Sequence, residues 1–90
     1  MAENEIFVGK KPFMNYVTGA LLQFNKGAKE LVLKARGKYI SRAVDVAEAI
    51  KNKFLSDVKV SEIKIGSEEL ESKDKGSKVR VSYIEIKLTK

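Results

Sequence analysis

The chain has 90 residues, of which 43% are hydrophobic, and its 18 lysines and arginines against 12 acidic residues give a formal net charge of +6. This composition is globular and excludes a disordered chain, and the length predicts a single domain over residues 1–90. Cysteine and histidine are absent, which excludes disulfides and the usual metal ligands and removes the commonest general base. We therefore predict no enzyme, no metal and no cofactor, and a basic surface that attracts a polyanion.

No apolar run approaches the length of about 20 residues that spans a bilayer, and no signal peptide is recognisable. We expect a soluble, intracellular protein without a membrane partner. Charge is also segregated along the chain: the basic residues cluster at positions 10–11, 34–42 and 73–80, and the acidic residues lie mainly elsewhere. Such clusters are typical of a nucleic-acid-binding surface.

The first elements predicted in chain order are a strand and a helix. Residues 6–8 are apolar and end at Gly9, which is typical of a short buried strand. Pro12 suits the first position of a helix, and one helical face then collects the apolar residues Phe13, Val17, Ala20, Leu21 and Phe24. Gly27 is predicted to end this helix. Lys10 and Lys11 thus lie between the strand and the helix, where two solvated lysines are the simpler explanation if they are considered alone.

A second strand, over residues 30–35, leads into the most basic stretch of the chain. A strand, a helix and a strand within about 30 residues predict parallel strands with a right-handed crossover, so both strand-to-helix turns lie at one edge of the sheet. The second turn, from Lys34 to Arg42, holds four basic side chains in nine residues, and residues 31–44 include no acid. The N-terminus is the positive end of a helix dipole, so it repels nearby cations and stabilises a bound phosphate. The sequence therefore predicts that the two turns form one phosphate-binding surface.

The second helix is predicted from about residue 39 to residue 54, and its apolar band is wider than one sheet face requires. We interpret the extra width as a second contact, such as a partner subunit. Two long strands follow, and the apolar face changes partway along each, between Val60 and Ile63 and again between Tyr83 and Ile84. Either a bulge or burial of both faces at different points explains such a change. The predicted order is β-α-β-α-β-β.

The segment that joins the last two strands, residues 71–78, is polar and contains a glycine, which predicts a hairpin loop with a basic tip. A loop that serves only solubility is the alternative, although the density of basic residues there counts against it. The carboxylates beside this loop could in principle hold a hard cation: Glu68, Glu69, Glu71 and Asp74. A solvated strand end explains them more simply.

Four stretches follow one another in a recognisable order and spacing: residues 9–17 (GKKPFMNYV), 34–45 (KARGKYISRAVD), 63–67 (IKIGS) and 82–86 (SYIEI). They resemble the motifs of one protein family, the Alba family of archaeal chromatin proteins. The resemblance covers nearly the whole chain. It implies an α+β fold in which a mixed four-stranded sheet packs against two helices, similar to the C-terminal domain of translation initiation factor three.

The resemblance also implies a homodimer that coats and compacts double-stranded DNA without sequence specificity, on the chromosome in the cytoplasm, and that also binds RNA. The residues implied to bind nucleic acid are Lys10, Lys11, Asn15, Arg36, Lys38, Arg42, Lys73, Lys75, Lys78 and Arg80. Phe54 would mediate cooperative contacts between neighbouring dimers, with packing in the core as the alternative. Lys38 and Tyr39 stand where the family usually has an arginine and a small residue. The alternative function is an RNA-binding subunit of a ribonucleoprotein, as in ribonuclease P, or an RNA chaperone.

Overall fold

A computed structural model describes residues 4–71 and 78–90, and these residues form two helices and one four-stranded sheet. The elements in order are β1 (Glu5–Phe7), α1 (Phe13–Asn25), β2 (Glu30–Arg36), a 3₁₀ turn (Gly37–Tyr39), α2 (Ile40–Ala49), a π turn (Ile50–Phe54), β3 (Lys59–Glu71) and β4 (Lys78–Thr89). The strand order is β1-β2-β4-β3; β1 pairs with β2 in parallel, and the other pairs are antiparallel. The predicted fold class and element order are confirmed.

Both helices pack on one face of the sheet, which we call the helix side. The buried residues there come from β2, β4 and both helices, and include Val17, Phe24, Leu31, Leu33, Val46, Ile50, Ile84, Ile86 and Leu88. Side chains alternate between the two faces of a strand, so Val32, Lys34 and Arg36 point to the opposite face, which we call the open face. Within the described residues, neither helix is long and apolar enough to cross a membrane.

Helix α1 ends as its sequence predicts and begins one residue later. Gly27 adopts a φ of +104°, and its N–H donates to the carbonyl of Phe24 at 3.1 Å while that of Ala28 donates to Gln23 at 3.0 Å. This pair of bonds closes the helix in the manner of a C-terminal glycine. Pro12 precedes the first helical residue instead of occupying it, because its ψ of 144° is extended although its φ of −55° would suit a helix.

Two details of the prediction are wrong. The first strand is not buried: β1 lies at an edge of the sheet, and Phe7 is 65% exposed because it points to the open face, which no helix covers. The second helix is not α-helical to residue 54. It changes after Ala49 to a π turn, in which the N–H of Leu55 donates to the carbonyl of Ile50 at 2.8 Å.

The apolar face changes along β3 and β4 for different reasons. In β3 the register slips between Val60 and Glu62, so Ser61 forms a bulge, and its hydroxyl donates to the carbonyl of Lys87 at 3.3 Å. In β4 the described pairing is continuous from Lys78 to Lys87, so Tyr83 lies on the open face and Ile84 on the helix side. The bulge that was considered for the sequence therefore occurs in β3, whereas β4 keeps its register and carries apolar residues on both faces.

Candidate nucleic-acid interface

The loop of residues 9–12, which we call the lysine loop, is held from both sides by side chains of the helices. Arg42, in the first turn of α2, donates from Nη1 to the carbonyl oxygens of Gly9 at 3.0 Å and of Lys11 at 2.8 Å. The Tyr16 hydroxyl of α1 accepts the backbone N–H of Gly9 at 2.9 Å and of Lys11 at 3.0 Å. The backbone is thus fixed on both sides of Lys10, while the side chains of Lys10 and Lys11 remain exposed.

The clamp by Arg42 brings the two predicted basic turns together, as the parallel pairing of β1 and β2 requires. Between them lies a concavity of about 620 Å³, which we call the basic pocket, lined by Lys10, Phe13, Lys38, Tyr39, Ser41, Arg42 and Asp45. Three cations therefore face one carboxylate. The Nζ of Lys38 lies 5.4 Å from the centroid of the Tyr39 ring, a cation–π contact that orders this lysine.

The helix ends at this edge of the sheet add to its positive potential. Neither helix carries an acidic residue in its first turn or a side-chain hydrogen bond at its N-cap. The positive ends of the helix dipoles are therefore not neutralised by neighbouring carboxylates there. Asn15 is exposed in the first turn of α1, where its amide is available to a bound anion.

Arg36 does not join the basic pocket. It ends β2 on the open face, and its Nη2 lies 3.3 Å from the Glu68 carboxylate. Strand alternation explains this placement, since Arg36 lies on the opposite face from Ala35, which is part of the core. A role for Arg36 in nucleic-acid binding stays a prediction.

The outer ends of β3 and β4, residues 66–71 and 78–83, form an arm that carries further basic residues. The side chains of Lys78 and Arg80 are 73% and 72% exposed, and both approach the Glu69 carboxylate, at 3.9 and 3.7 Å. Ion pairs this exposed contribute little to stability, so a phosphate can replace the carboxylate. Lys73, Lys75 and Asp74 lie outside the described residues.

The carboxylates beside the arm are engaged by cations of the same chain. Glu68 contacts Arg36, and Glu69 contacts Lys78 and Arg80. In the part of the chain that the structure describes, no three aspartates or glutamates are grouped so as to hold a metal ion. Ion pairing thus explains Glu68 and Glu69 without a bound cation.

Phe54 closes the π turn and is 47% exposed. It lines a shallow concavity with Phe13 and Met14 of α1, so it is a half-covered surface residue and lies outside the core cluster. Glu48, on the same concavity, accepts a hydrogen bond from the Asn52 amide at 2.9 Å; this bond, with a smaller effect of Lys51, lowers the pKa of Glu48. The exposure argues against packing in the core, and a contact between dimers stays a prediction.

The sequence analysis did not identify Tyr16 as a residue that positions the lysine loop, nor the hydrogen bonds by which Arg42 holds the same loop. Tyr16 lies three residues after Phe13 and four before Ala20, on the buried side of α1. A buried tyrosine usually finds a hydrogen-bond partner for its hydroxyl. This requirement could have indicated that Tyr16 bonds to a neighbouring polar group, which the structure shows to be the backbone of the lysine loop.

The sequence and the fold were compared with known proteins. The family model described as Alba matches residues 4–67. The chain is 58% identical over 84 residues to the "DNA/RNA-binding protein Alba" of Methanocella arvoryzae, covering 93% of this chain and 86% of that protein. It is 57% identical over 90 residues to "DNA/RNA-binding protein Alba 1" of Archaeoglobus fulgidus, covering 100% of this chain and 99% of that protein.

Solved structures of Alba proteins share the fold. Alba from Thermoplasma volcanium superposes with a TM-score of 0.91 at 50% identity, covering 97% of this chain and 100% of that one. ALBA1 from Trypanosoma brucei gives a TM-score of 0.79 at 26% identity, covering 100% of this chain and 71% of that one. The family match, the identities and the shared fold agree with the motifs found in the sequence, and the chain belongs to the Alba family.

Proposed function

We propose that this protein binds double-stranded DNA and RNA through their phosphates, and that it coats and compacts the chromosome as a non-enzymatic chromatin protein of the cytoplasm. The observation that carries this function is the clamp of Arg42 on the lysine loop, because it joins two separate basic turns into one surface. The relatives named as DNA/RNA-binding proteins support the same class of ligand.

The geometry supports phosphate binding without sequence reading. Lys10, Lys11 and Lys38 are exposed, and Lys10 and Lys38 line the basic pocket. Phosphate contacts position a protein on nucleic acid but carry no sequence information. Because the loop backbone is already ordered by four hydrogen bonds, binding costs little backbone entropy.

The arms extend this surface. Lys78 and Arg80 lie on the described part of the arm, and Lys73 and Lys75 belong to the same basic cluster of the sequence. A β-hairpin with basic side chains can follow the sugar-phosphate backbone of DNA and enter a groove next to the one that the body of the protein faces. We infer that each arm supplies phosphate contacts beyond those of the basic pocket.

We further infer that two chains form a homodimer through an uncovered apolar surface on the helix side. Ile63 and Ile65 pair with the core residues Ile86 and Ile84 and therefore share their face, yet they are 59% and 75% exposed because α2 does not reach over β3. Val44 is 41% exposed and, at 3.6 residues per turn, lies on the flank of α2 away from α1. A second copy would cover all three side chains.

The proposed phosphate binding is tested by the salt dependence of affinity for duplex DNA. The logarithm of the association constant should fall linearly with the logarithm of salt concentration, by about 0.9 for each phosphate contacted. Replacing Lys10 and Lys11 together by alanine should reduce this slope by about two and weaken binding to all sequences alike. An affinity that does not depend on salt, or a loss limited to one sequence, would contradict the proposal.

The matched control replaces Lys26 and Lys29, two exposed lysines at the opposite end of α1, by alanine. Both double variants lose two positive charges, so any difference in their DNA affinity is due to where the lysines lie and not to the net charge. Competition between duplex DNA and structured RNA at physiological salt separates chromosome coating from the alternative role as a ribonucleoprotein subunit. A strong preference for structured RNA would count against coating.

A further inference from the structure

We propose that the open face of the sheet carries a second binding site, a groove that accepts a nucleobase from an unpaired strand. The groove has a volume of about 770 Å³ and runs between β1, the end of β2 and the arm. Its volume is within the range of about 300–1,000 Å³ that is usual for small-molecule sites. This inference rests on the proposed function, since it specifies which nucleic acids the same protein distinguishes.

Aromatic side chains supply the stacking surface of this groove. Phe7 is 65% exposed, and the Nζ of Lys34 lies 5.6 Å from the centroid of its ring. Tyr83 lies over Gly66 of the neighbouring strand so closely that a Cβ at Gly66 would stand 2.6 Å from the Tyr83 hydroxyl oxygen. The glycine thus lets the tyrosine ring rest against the sheet, where it forms part of the groove wall. Aromatic residues on an open sheet face are a common platform for stacking bases.

The charges of the groove differ from those of the basic pocket. Its cations, Lys34 and Arg36, are matched by two carboxylates of the groove: Arg36 lies 3.3 Å from Glu68, and Lys34 lies 3.9 Å from Glu85. Lys34 is also held by Glu5, at 2.9 Å. A balanced rim does not concentrate phosphates, and it offers both donors and acceptors to the polar edge of an uncharged ring. The occupant that fits aromatic walls with paired donors and acceptors is a nucleobase.

The groove also adjoins the basic pocket, because Tyr39 lines both. A strand whose phosphate is bound near Lys38 can therefore place an adjacent base on the open face without leaving the protein. Bases within a duplex are stacked and paired, and taking one out costs a few kcal/mol. The site should consequently add affinity for single-stranded nucleic acid and leave duplex binding unchanged.

The test compares a single-stranded RNA with a duplex DNA of equal length, for the wild type and for Phe7→Ala. Loss of one stacked base should weaken single-strand binding about tenfold, with duplex binding unchanged within about twofold. Phe7→Trp should restore single-strand binding, because it restores the ring. The control is Leu22→Ala on α1, which removes a side chain of similar exposure, 52%, outside the groove; it should alter neither affinity.

A strand that contains 2-aminopurine gives a second readout. Its fluorescence should be quenched on binding to the wild type through stacking, and less so on binding to Phe7→Ala or Tyr83→Leu. Three outcomes would overturn this inference while the proposed function stands. Phe7→Ala could weaken binding to single strands and duplexes equally, or the fluorescence could remain unquenched. Phe7→Ala could also sediment differently from the wild type, which would mark the groove as a subunit contact. A wild type that binds neither ligand would overturn both.

Discussion

At the scale of single residues, the exposed lysines proposed to bind phosphate differ from the groups that hold their loop in place. Tyr16 is buried and uncharged, yet its hydroxyl accepts two N–H groups of the lysine loop. Arg42 adds two bonds to carbonyl oxygens of the same loop from the other side, through one of its nitrogens. One guanidinium thus stabilises the loop while the remainder of its donors still faces the basic pocket.

Tyr16→Phe tests this division of roles, because it removes only an oxygen. Two N–H groups lose their acceptor, and we expect a loss of about 1–2 kcal/mol in the free energy of unfolding. DNA affinity should fall because the loop is less ordered, but the salt slope should stay the same, since no cation is lost. Thermal denaturation and binding at several salt concentrations measure the two effects. By contrast, Lys11→Ala should reduce the slope by about one, and an equal reduction in Tyr16→Phe would disprove a purely positioning role.

At the scale of elements, the sequence predicts features that are determined by residues close together in the chain, and it does not predict those that depend on distant strands pairing. The helices were predictable because apolar residues recur with the helical period, and the meeting of the two basic turns followed from the parallel βα units. The exposure of Phe7 was not predictable, since an apolar run of three residues does not show whether a strand is central or at an edge. The faces of Arg36 and Tyr83 depend on the register of β2 and β4, which non-local pairing sets.

The π turn was likewise not predictable, because its residues continue the apolar stripe of α2. Residues 50–54 contain a widened turn in which Leu55 bonds to Ile50, five residues back. Such turns change the direction of the side chains that follow and are frequent at functional sites. Here the widened turn leaves Phe54 on the surface above α1, at 47% exposure.

Phe54→Ala tests the contact between neighbouring dimers that the sequence analysis predicts for this residue. About half of the ring is buried, so the unfolding free energy should fall by about 1–2 kcal/mol, less than the roughly 3–5 kcal/mol of a fully buried phenylalanine. The DNA-binding isotherm should become less steep, while intrinsic affinity from the lysines is kept. Melting temperature and isotherm steepness are measured together, with Leu22→Ala as the control. Unchanged steepness would show that Phe54 has no part in cooperativity.

At the scale of the whole molecule, the proposed homodimer would cover the apolar surface that the helices leave exposed. Sedimentation at micromolar concentration should give about twice the chain mass of 10.1 kDa. Ile65→Glu should give a monomer, because a carboxylate would be buried without a partner in the contact. Leu22→Glu, a change of the same kind on the outer side of α1, should leave the mass of the dimer unchanged. A wild type that sediments as a monomer would rule out the two-armed arrangement.

The position of β3 at the outer edge of the sheet has a consequence for solubility. An edge strand of 13 residues can recruit strands from other molecules and start fibrils, a risk that grows at high local concentration. Two features oppose this. Charged residues recur along the strand at Lys59, Glu62, Lys64, Glu68, Glu69 and Glu71, and the bulge at Ser61 breaks the regular spacing of backbone donors. The long strand can thus support an extended arm without also becoming a template for aggregation.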